Sequence, residues 1–393
     1  MKIQSKFKKA GIALLALAVA TPMGLAAPSS AAPADIKIGV ITSTSGPLKS
    51  YGDAYTDGLE WGLNHLTKGT MRVNGAKIVL TKKDDGGVPD SAIASFKEMV
   101  GSGHSIIAGT ASSAIALGLA PLAEQNKTLY ISGPAKNDGI TTGTNKYVFR
   151  SGNTSLQDFA PLAGLRPMRG QKVLLFVEDN AFGLGNIAAA KLNLAPQGAT
   201  FQEIKVPMTT TEFTPFARQA AEAKARYIFI AWSNTLNSAA MFTALRQQGV
   251  FQSSRPVTGL ADVATYDVMG TIFDGANAVL TSSYFPGVGK TSLASSLAAD
   301  YAKSGKKEGL FTPDGVNAAQ MIIRALRNNV APYNVDRAIT NLKGFSFVGL
   351  KGQMKVDPTK HYLIQPMYLA SLNRQSDGKY RPALVKTLFN VKA

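Results

Sequence analysis

No cysteine occurs among the 393 residues, which excludes disulfide scaffolds, thiolate metal sites, cysteine nucleophiles and lipid attachment through an N-terminal cysteine. Histidine is nearly as scarce. His65, His104 and His361 have no metal-ligand spacing and no HExxH neighbourhood, so no metal is expected. No GxSxG elbow is present, and with no nucleophile, base or metal constellation an enzyme is not expected. Acidic residues are few, 25 against 42 basic, for a formal net charge of +17. The basic residues are scattered, and no Arg/Lys run with interleaved aromatics marks a nucleic-acid surface. Long apolar runs are also missing, since the stretch 11–20 is well short of the ~20 residues that span a bilayer.

What is present is an ordinary globular composition, 45% hydrophobic and 17% charged with 37 Gly and 19 Pro. A chain of this length exceeds the roughly 250–300 residues at which single cores stop growing, so two domains are expected. Residues 1–34 combine a basic start (Lys2, Lys6, Lys8, Lys9), the apolar run 11–20 and a small-residue end, Ala32-Pro33-Ala34. Those three regions make a secretory signal peptide, with cleavage expected after Ala34 or Ala31. Without those four lysines the net charge is +13, which suits steering of an anionic ligand or attraction to an anionic membrane.

The remaining chain alternates strands and helices. Strands are predicted at 36–41, 77–81, 105–108 and 128–131, with helices at 52–66, 89–100 and 113–124 between them. A second round begins near Ser155, with strands at 172–177, 201–206, 227–231, 256–259 and 276–281 and helices at 181–194, 213–223 and 236–248. This is βαβ winding, hence two parallel sheets covered on both faces. Helices follow at 293–302, 313–327 and 335–342, then extended segments at 362–372 and 381–388. Passages between the two lobes are expected near 143–145 and 284–287. Their shortness favours a hinge. The expected lobes are 35–154 plus 285–356 and 155–284 plus 357–393.

Two motifs invite nucleotide or metal chemistry and fall short. Gly287-Val-Gly-Lys-Thr291 resembles the end of a phosphate-binding loop, yet Tyr284 stands where its first glycine belongs. Asp84-Asp85-Gly86-Gly87 follows a strand and precedes Pro89, the signature of a turn and helix cap. No cofactor is implied.

An ordered set of segments resembles the type I solute-binding proteins of ABC importers, in particular the branched-chain amino acid group. The set comprises Ile36-Lys-Ile-Gly-Val-Ile-Thr-Ser-Thr-Ser-Gly-Pro47, Tyr51-Gly-Asp53, Gly58, Asp84-Asp85 and Gly109-Thr-Ala-Ser-Ser113. It continues with Ser132-Gly-Pro-Ala135, Phe149-Arg150, Glu178-Asp-Asn-Ala-Phe-Gly183 and Gly249. The resemblance implies two Rossmann-like lobes joined by three crossings. They would close on a small carboxylate ligand that is then delivered to a membrane permease. It implies ligand contacts from Ser112 and Ser113, from the backbone of Ala135 and from Asn137, which stands where the amino acid binders carry Thr. Tyr51 and Phe182 would flank the ligand from opposite lobes.

The residues themselves support those positions, because ligands bind outside the carboxyl ends of parallel strands. Ser112 and Ser113 open a helix there and can also cap it. Trp232, at another strand end, is a further candidate wall, and Lys136 is read as a solvated lysine. An amino acid would need a carboxylate for its ammonium. Asp262 is the candidate, one step beyond the family's position, and its alternative role is a helix cap. An amino acid is the leading expectation for the ligand, with aromatic carboxylates or short amides, or a sensor role, as alternatives. The expected protein is periplasmic, unanchored and monomeric.

Overall fold

Buried apolar strands set both lobes. The computed structural model describes Met1, residues 33–164 and residues 168–393, so the expected leader at 1–34 lies almost wholly outside the described residues. The first lobe contains β1 (Ile36–Thr42), β2 (Arg72–Val73), β3 (Ala76–Asp84), β4 (Ile106–Gly109), β5 (Leu129–Ser132) and β6 (Val148–Arg150). Their order is β2-β3-β1-β4-β5-β6, parallel except for the β2–β3 pair. Ile38, Val40 and Ile41 of β1 are fully buried, as a strand covered on both faces requires.

The second lobe begins with β7 (Lys172–Glu178), β8 (Thr200–Val206), β9 (Tyr227–Ala231), β10 (Arg255–Gly259) and β11 (Val279–Ser282). Later in the chain come β14 (Leu363–Arg374) and β15 (Tyr380–Val391), preceded by the hairpin β12 (Ser346–Gly349) and β13 (Gly352–Val356), which extends this sheet while its Phe347, Met354 and Val356 pack in the first-lobe core. The sheet runs β12-β13-β14-β11-β10-β9-β7-β8, with β15 hydrogen-bonded to β14. Alternate residues of β7 feed opposite layers: Leu174 and Phe176 join one apolar cluster, Val173, Leu175 and Val177 another. Among the described residues no helix is long and apolar enough to cross a membrane.

The passages between lobes lie away from the segments expected to hold them. Asn145 belongs to the first lobe, where its Nδ2 donates to Ala120 O (2.7 Å). The chain leaves this lobe only after β6, through residues 151–154. Tyr284, Phe285 and Val288 are part of the second-lobe core, and so are Ala294, Leu297 and Tyr301 around helix Ser292–Ser304. The return therefore comes just before helix Thr312–Ala325, whose residues from Ala318 onward pack in the first-lobe core. The third passage is β14 itself, with Leu363 in the first-lobe core and Tyr368 and Ala370 in the second. The turn-like composition at 143–145 and 284–287 marked turns within a lobe.

A buried polar cluster ties the three passages together. Asn317 Nδ2 donates to Ser151 O (2.9 Å), and Gln365 Nε2 donates to Gly152 O (3.2 Å) and Gln157 Oε1 (3.1 Å). Lys351 Nζ donates to Gln365 Oε1 (2.5 Å). Asp314 is 1% exposed beside them. Burial pushes its carboxyl up to about 7 against the pull of Lys351, and burial pushes Lys351 down to about 8.

Candidate functional site

The winding reverses at β1, which lies between β3 and β4, and at β7, which lies between β8 and β9. Loops from the carboxyl ends at these points face one another across a cleft of about 320 Å³.

On the first-lobe side, Ser112 caps helix Ser113–Gln125, its Oγ accepting from Ile115 N (3.4 Å). Ser113 Oγ accepts from Asn137 N (3.3 Å), which leaves its hydroxyl hydrogen for another partner. Ala111, Ser112, Ser113 and Ala114 all border the cleft. Tyr51 and Phe311 form an apolar wall, edge to face at 5.0 Å, backed by Leu48 and Leu310. Burial raises the Tyr51 phenol, with the charges of Asp262 and Glu178 adding to it, so the hydroxyl stays neutral.

On the second-lobe side stand Phe182 and Trp232. Trp232 stacks over Phe176 at 6.2 Å, and its Nε1 donates to Asn237 Oδ1 (2.9 Å). Glu178, at the end of β7, is 2% exposed and borders the cleft. Its Oε2 accepts from Asn180 Nδ2 (3.0 Å), Ser233 N (2.9 Å) and Ser233 Oγ, and its Oε1 from Asn234 N (3.0 Å). Those donors fix its side chain and shape the loop that carries Trp232.

Five of the eight residues singled out from sequence border this cleft: Tyr51, Ser112, Ser113, Phe182 and Trp232. The other three have different work. The Ala135 N–H donates to Thr110 O (3.1 Å), and its carbonyl accepts from Arg150 Nη1 (2.6 Å). Asn137 Nδ2 donates across the lobes to Ala181 O (2.6 Å). Asp262 caps a short helical turn by accepting from Ala264 N (3.0 Å), and its carboxylate reaches the cleft only as a nearby charge.

Lys136 departs from its expected solvation. Its side chain is 12% exposed, borders the cleft, and pairs with Asp158 at 3.0 Å. Asp158 lies on helix Ser155–Phe159 of the second lobe, 22 residues along the chain. Sequence reasoning also passed over Phe311 and Asp158. Glu178 carried a signal, since it stands at the carboxyl end of an apolar strand.

Motifs set aside from sequence have structural roles. Thr291 caps helix Ser292–Ser304 by accepting from Ala294 N (3.1 Å). Asp84 Oδ1 and Asp85 Oδ1 accept the turn amides of Gly86 (3.0 Å) and Gly87 (2.9 Å). Among the described residues no group of three His, Cys, Asp or Glu side chains could hold a metal ion.

Bonds across the cleft hold the lobes together. Besides Lys136–Asp158 and Asn137–Ala181, Thr235 Oγ1 donates to Pro47 O (2.7 Å). Two doubly wound lobes, three passages and a part-enclosed cleft at both switch points define the class of two-lobed solute-binding proteins.

Within that class the chain belongs to the periplasmic binding protein family, whose model matches residues 35–379. It is 25% identical over 391 residues to Leu/Ile/Val-binding protein homolog 6 of Brucella suis biovar 1, covering 96% of each chain. A solved ABC-type branched-chain amino acid transporter protein from Rhodopseudomonas palustris CGA009 is 29% identical, covers 91% of this chain and 97% of that one, and has a TM-score of 0.73. A solute-binding protein of an ABC transporter from Rhodopseudomonas palustris BisB5, solved with 3,4-dihydroxybenzoic acid, has a TM-score of 0.76 over 91% of this chain and 98% of that one. At 23% identity that last likeness is one of fold.

Proposed function

We propose that this chain is the extracytoplasmic solute-binding component of an ABC importer, capturing a small carboxylate-bearing ligand by lobe closure and passing it unchanged to a membrane permease. The observation that carries the reading is the pairing of Ser112 and Ser113, at a helix start bordering the cleft, with apolar walls from both lobes. Hydroxyl and unpaired N–H groups suit a carboxylate, and the walls suit an apolar body. Closure follows because a ligand touching both lobes favours the closed form by its differential affinity.

An amino acid of the branched-chain type is the leading ligand, in keeping with the names of the relatives. Its ammonium partner in this reading is Glu178, which borders the cleft where Asp262 does not. Aromatic carboxylates are the second reading, favoured by Tyr51, Phe311, Phe182 and Trp232 around the cleft.

A thermal-shift screen of protein refolded to strip carried-over ligand tests the proposal. Ligand at a hundred times its dissociation constant adds about 2.7 kcal/mol. Stabilisation by L-leucine or L-phenylalanine, or by benzoate for the second reading, is the expected result. Stabilisation only by compounds without a carboxylate would overturn it.

A further inference from the structure

Lys136 is the one basic side chain among the described residues that border the cleft. Its backbone is fixed, because its carbonyl accepts from Ser155 N (2.8 Å) and Ser155 Oγ (3.3 Å). Its ammonium has three donors, and the single hydrogen bond the structure gives it is to Asp158 Oδ2 at 3.0 Å. The Phe311 ring lies 5.8 Å from Nζ, within reach of a cation–π contact. Asp158 divides its oxygens, with Oδ1 accepting from Asn153 Nδ2 (2.8 Å) and Oδ2 from Lys136. A cation at 12% exposure with donors to spare is poorly served by water and by one carboxylate oxygen.

We propose that Lys136 is a specificity-determining residue that binds the ligand's anionic group directly, sharing its ammonium between that group and Asp158. This rests on the carboxylate reading above and deepens it. The neighbouring Ser113 hydroxyl supplies a neutral donor, whose preference for a carboxylate over a carboxamide comes from the acceptor's charge alone. The lysine adds a full opposite charge and is the larger discriminator, since only with it are both partners of the hydrogen bond ionised. Because Lys136 stands on the first lobe and Asp158 on the second, an anion that joins the pair also joins the lobes. Asp158 acts as a positioning residue, holding Nζ toward the cleft.

The experiment titrates the refolded full chain calorimetrically with L-leucine, L-phenylalanine, benzoate and 4-hydroxybenzoate, and with the matching primary amide of each acid that binds. In the unaltered protein the acid should bind roughly tenfold or more tightly than its amide. In Lys136→Met that ratio should fall toward one while amide binding persists, and Lys136→Arg should restore most of it. Lys136→Met leaves Asp158 unpaired beside the ligand, so the Lys136→Met, Asp158→Asn double variant is measured alongside. Its ratio should be reduced to a similar extent. A full acid-over-amide ratio in the double variant would show that Asp158 repulsion alone caused the loss, and would overturn the assignment. So would an unchanged ratio in Lys136→Met. If no acid binds the unaltered protein while neutral solutes do, the carboxylate reading itself fails, and the lysine's role with it.

Discussion

Replacing Gly315 by alanine should destabilise the protein, although alanine is the better helix former. Gly315 sits inside helix Thr312–Ala325 where it crosses helix Lys49–Leu66. A Cβ there would lie 2.0 Å from Tyr55 O and 2.6 Å from Leu59 N. Those are backbone atoms, so no rotamer change relieves the clash and the helices must part by about an ångström. A gap of that size forfeits a quarter to a half of each contact's attraction along the seam. Overpacking against backbone falls at the upper end of the usual cost of about 1–3 kcal/mol, so the net loss should be about 2 kcal/mol after about 1 kcal/mol of helix propensity is returned. That corresponds to a fall of roughly 2–4 °C in the thermal midpoint of a chain this long. Gly118, inside helix Ser113–Gln125, is the control: its nearest neighbour, Ile93 Cδ1, is 4.0 Å from the added Cβ. Gly118→Ala should be neutral or stabilising by about 0.5–1 kcal/mol. Differential scanning calorimetry of both variants decides the matter. A Gly315→Ala midpoint within a degree of the unaltered protein would refute the close crossing that positions Tyr51 and Phe311.

Further outcomes test the hinge and the site. Asp314 binds its proton more tightly folded than unfolded, with the carboxyl moved from 3.8 to about 7 by burial. Its contribution to stability is therefore full below pH 4 and is lost as pH rises toward 7. Asp314→Asn should gain in thermal midpoint relative to the unaltered protein between pH 5 and 7.5, and parallel pH curves would contradict this. Ser113→Ala should weaken an acid ligand roughly tenfold, the worth of one hydrogen bond to a charged group, in a calorimetric titration. Glu178→Gln should weaken an amino acid more than its desamino analogue; equal weakening would leave Glu178 as a scaffold for the Trp232 loop alone.

The strands that position the cleft were legible because their residues are apolar without interruption. The runs in β1, β7 and β9 are covered on both faces, and each ends at a loop that borders the site. The short β6 carried no such run, and β12 and β13, paired as a hairpin, bury only alternate residues. Lobe membership of 285–304 was hidden for another reason: the apolar face of a helix does not say which sheet it covers. Ser112 and Ser113 could be read from a strand end followed by a cap. Lys136 could not be placed, because its burial is decided by Asp158 and Phe311, which arrive from other segments. Asn137 and Asp262 have the residue types a ligand site needs, yet their groups are spent on Ala181 O and on the Ala264 amide.

The central claim is that a small carboxylate closes the cleft, and the chain carries its own reporter. Its two tryptophans are Trp61, bonded to Asp300 Oδ2 (3.1 Å), and Trp232 at the cleft wall. In Trp61→Phe, refolded to remove bound ligand, Trp232 emission is followed while L-leucine, L-phenylalanine, benzoate and a neutral sugar are titrated in turn. The account predicts a saturable change with at least one of the carboxylates and none with the sugar. A saturable response to the sugar, with no response to any carboxylate, would contradict it.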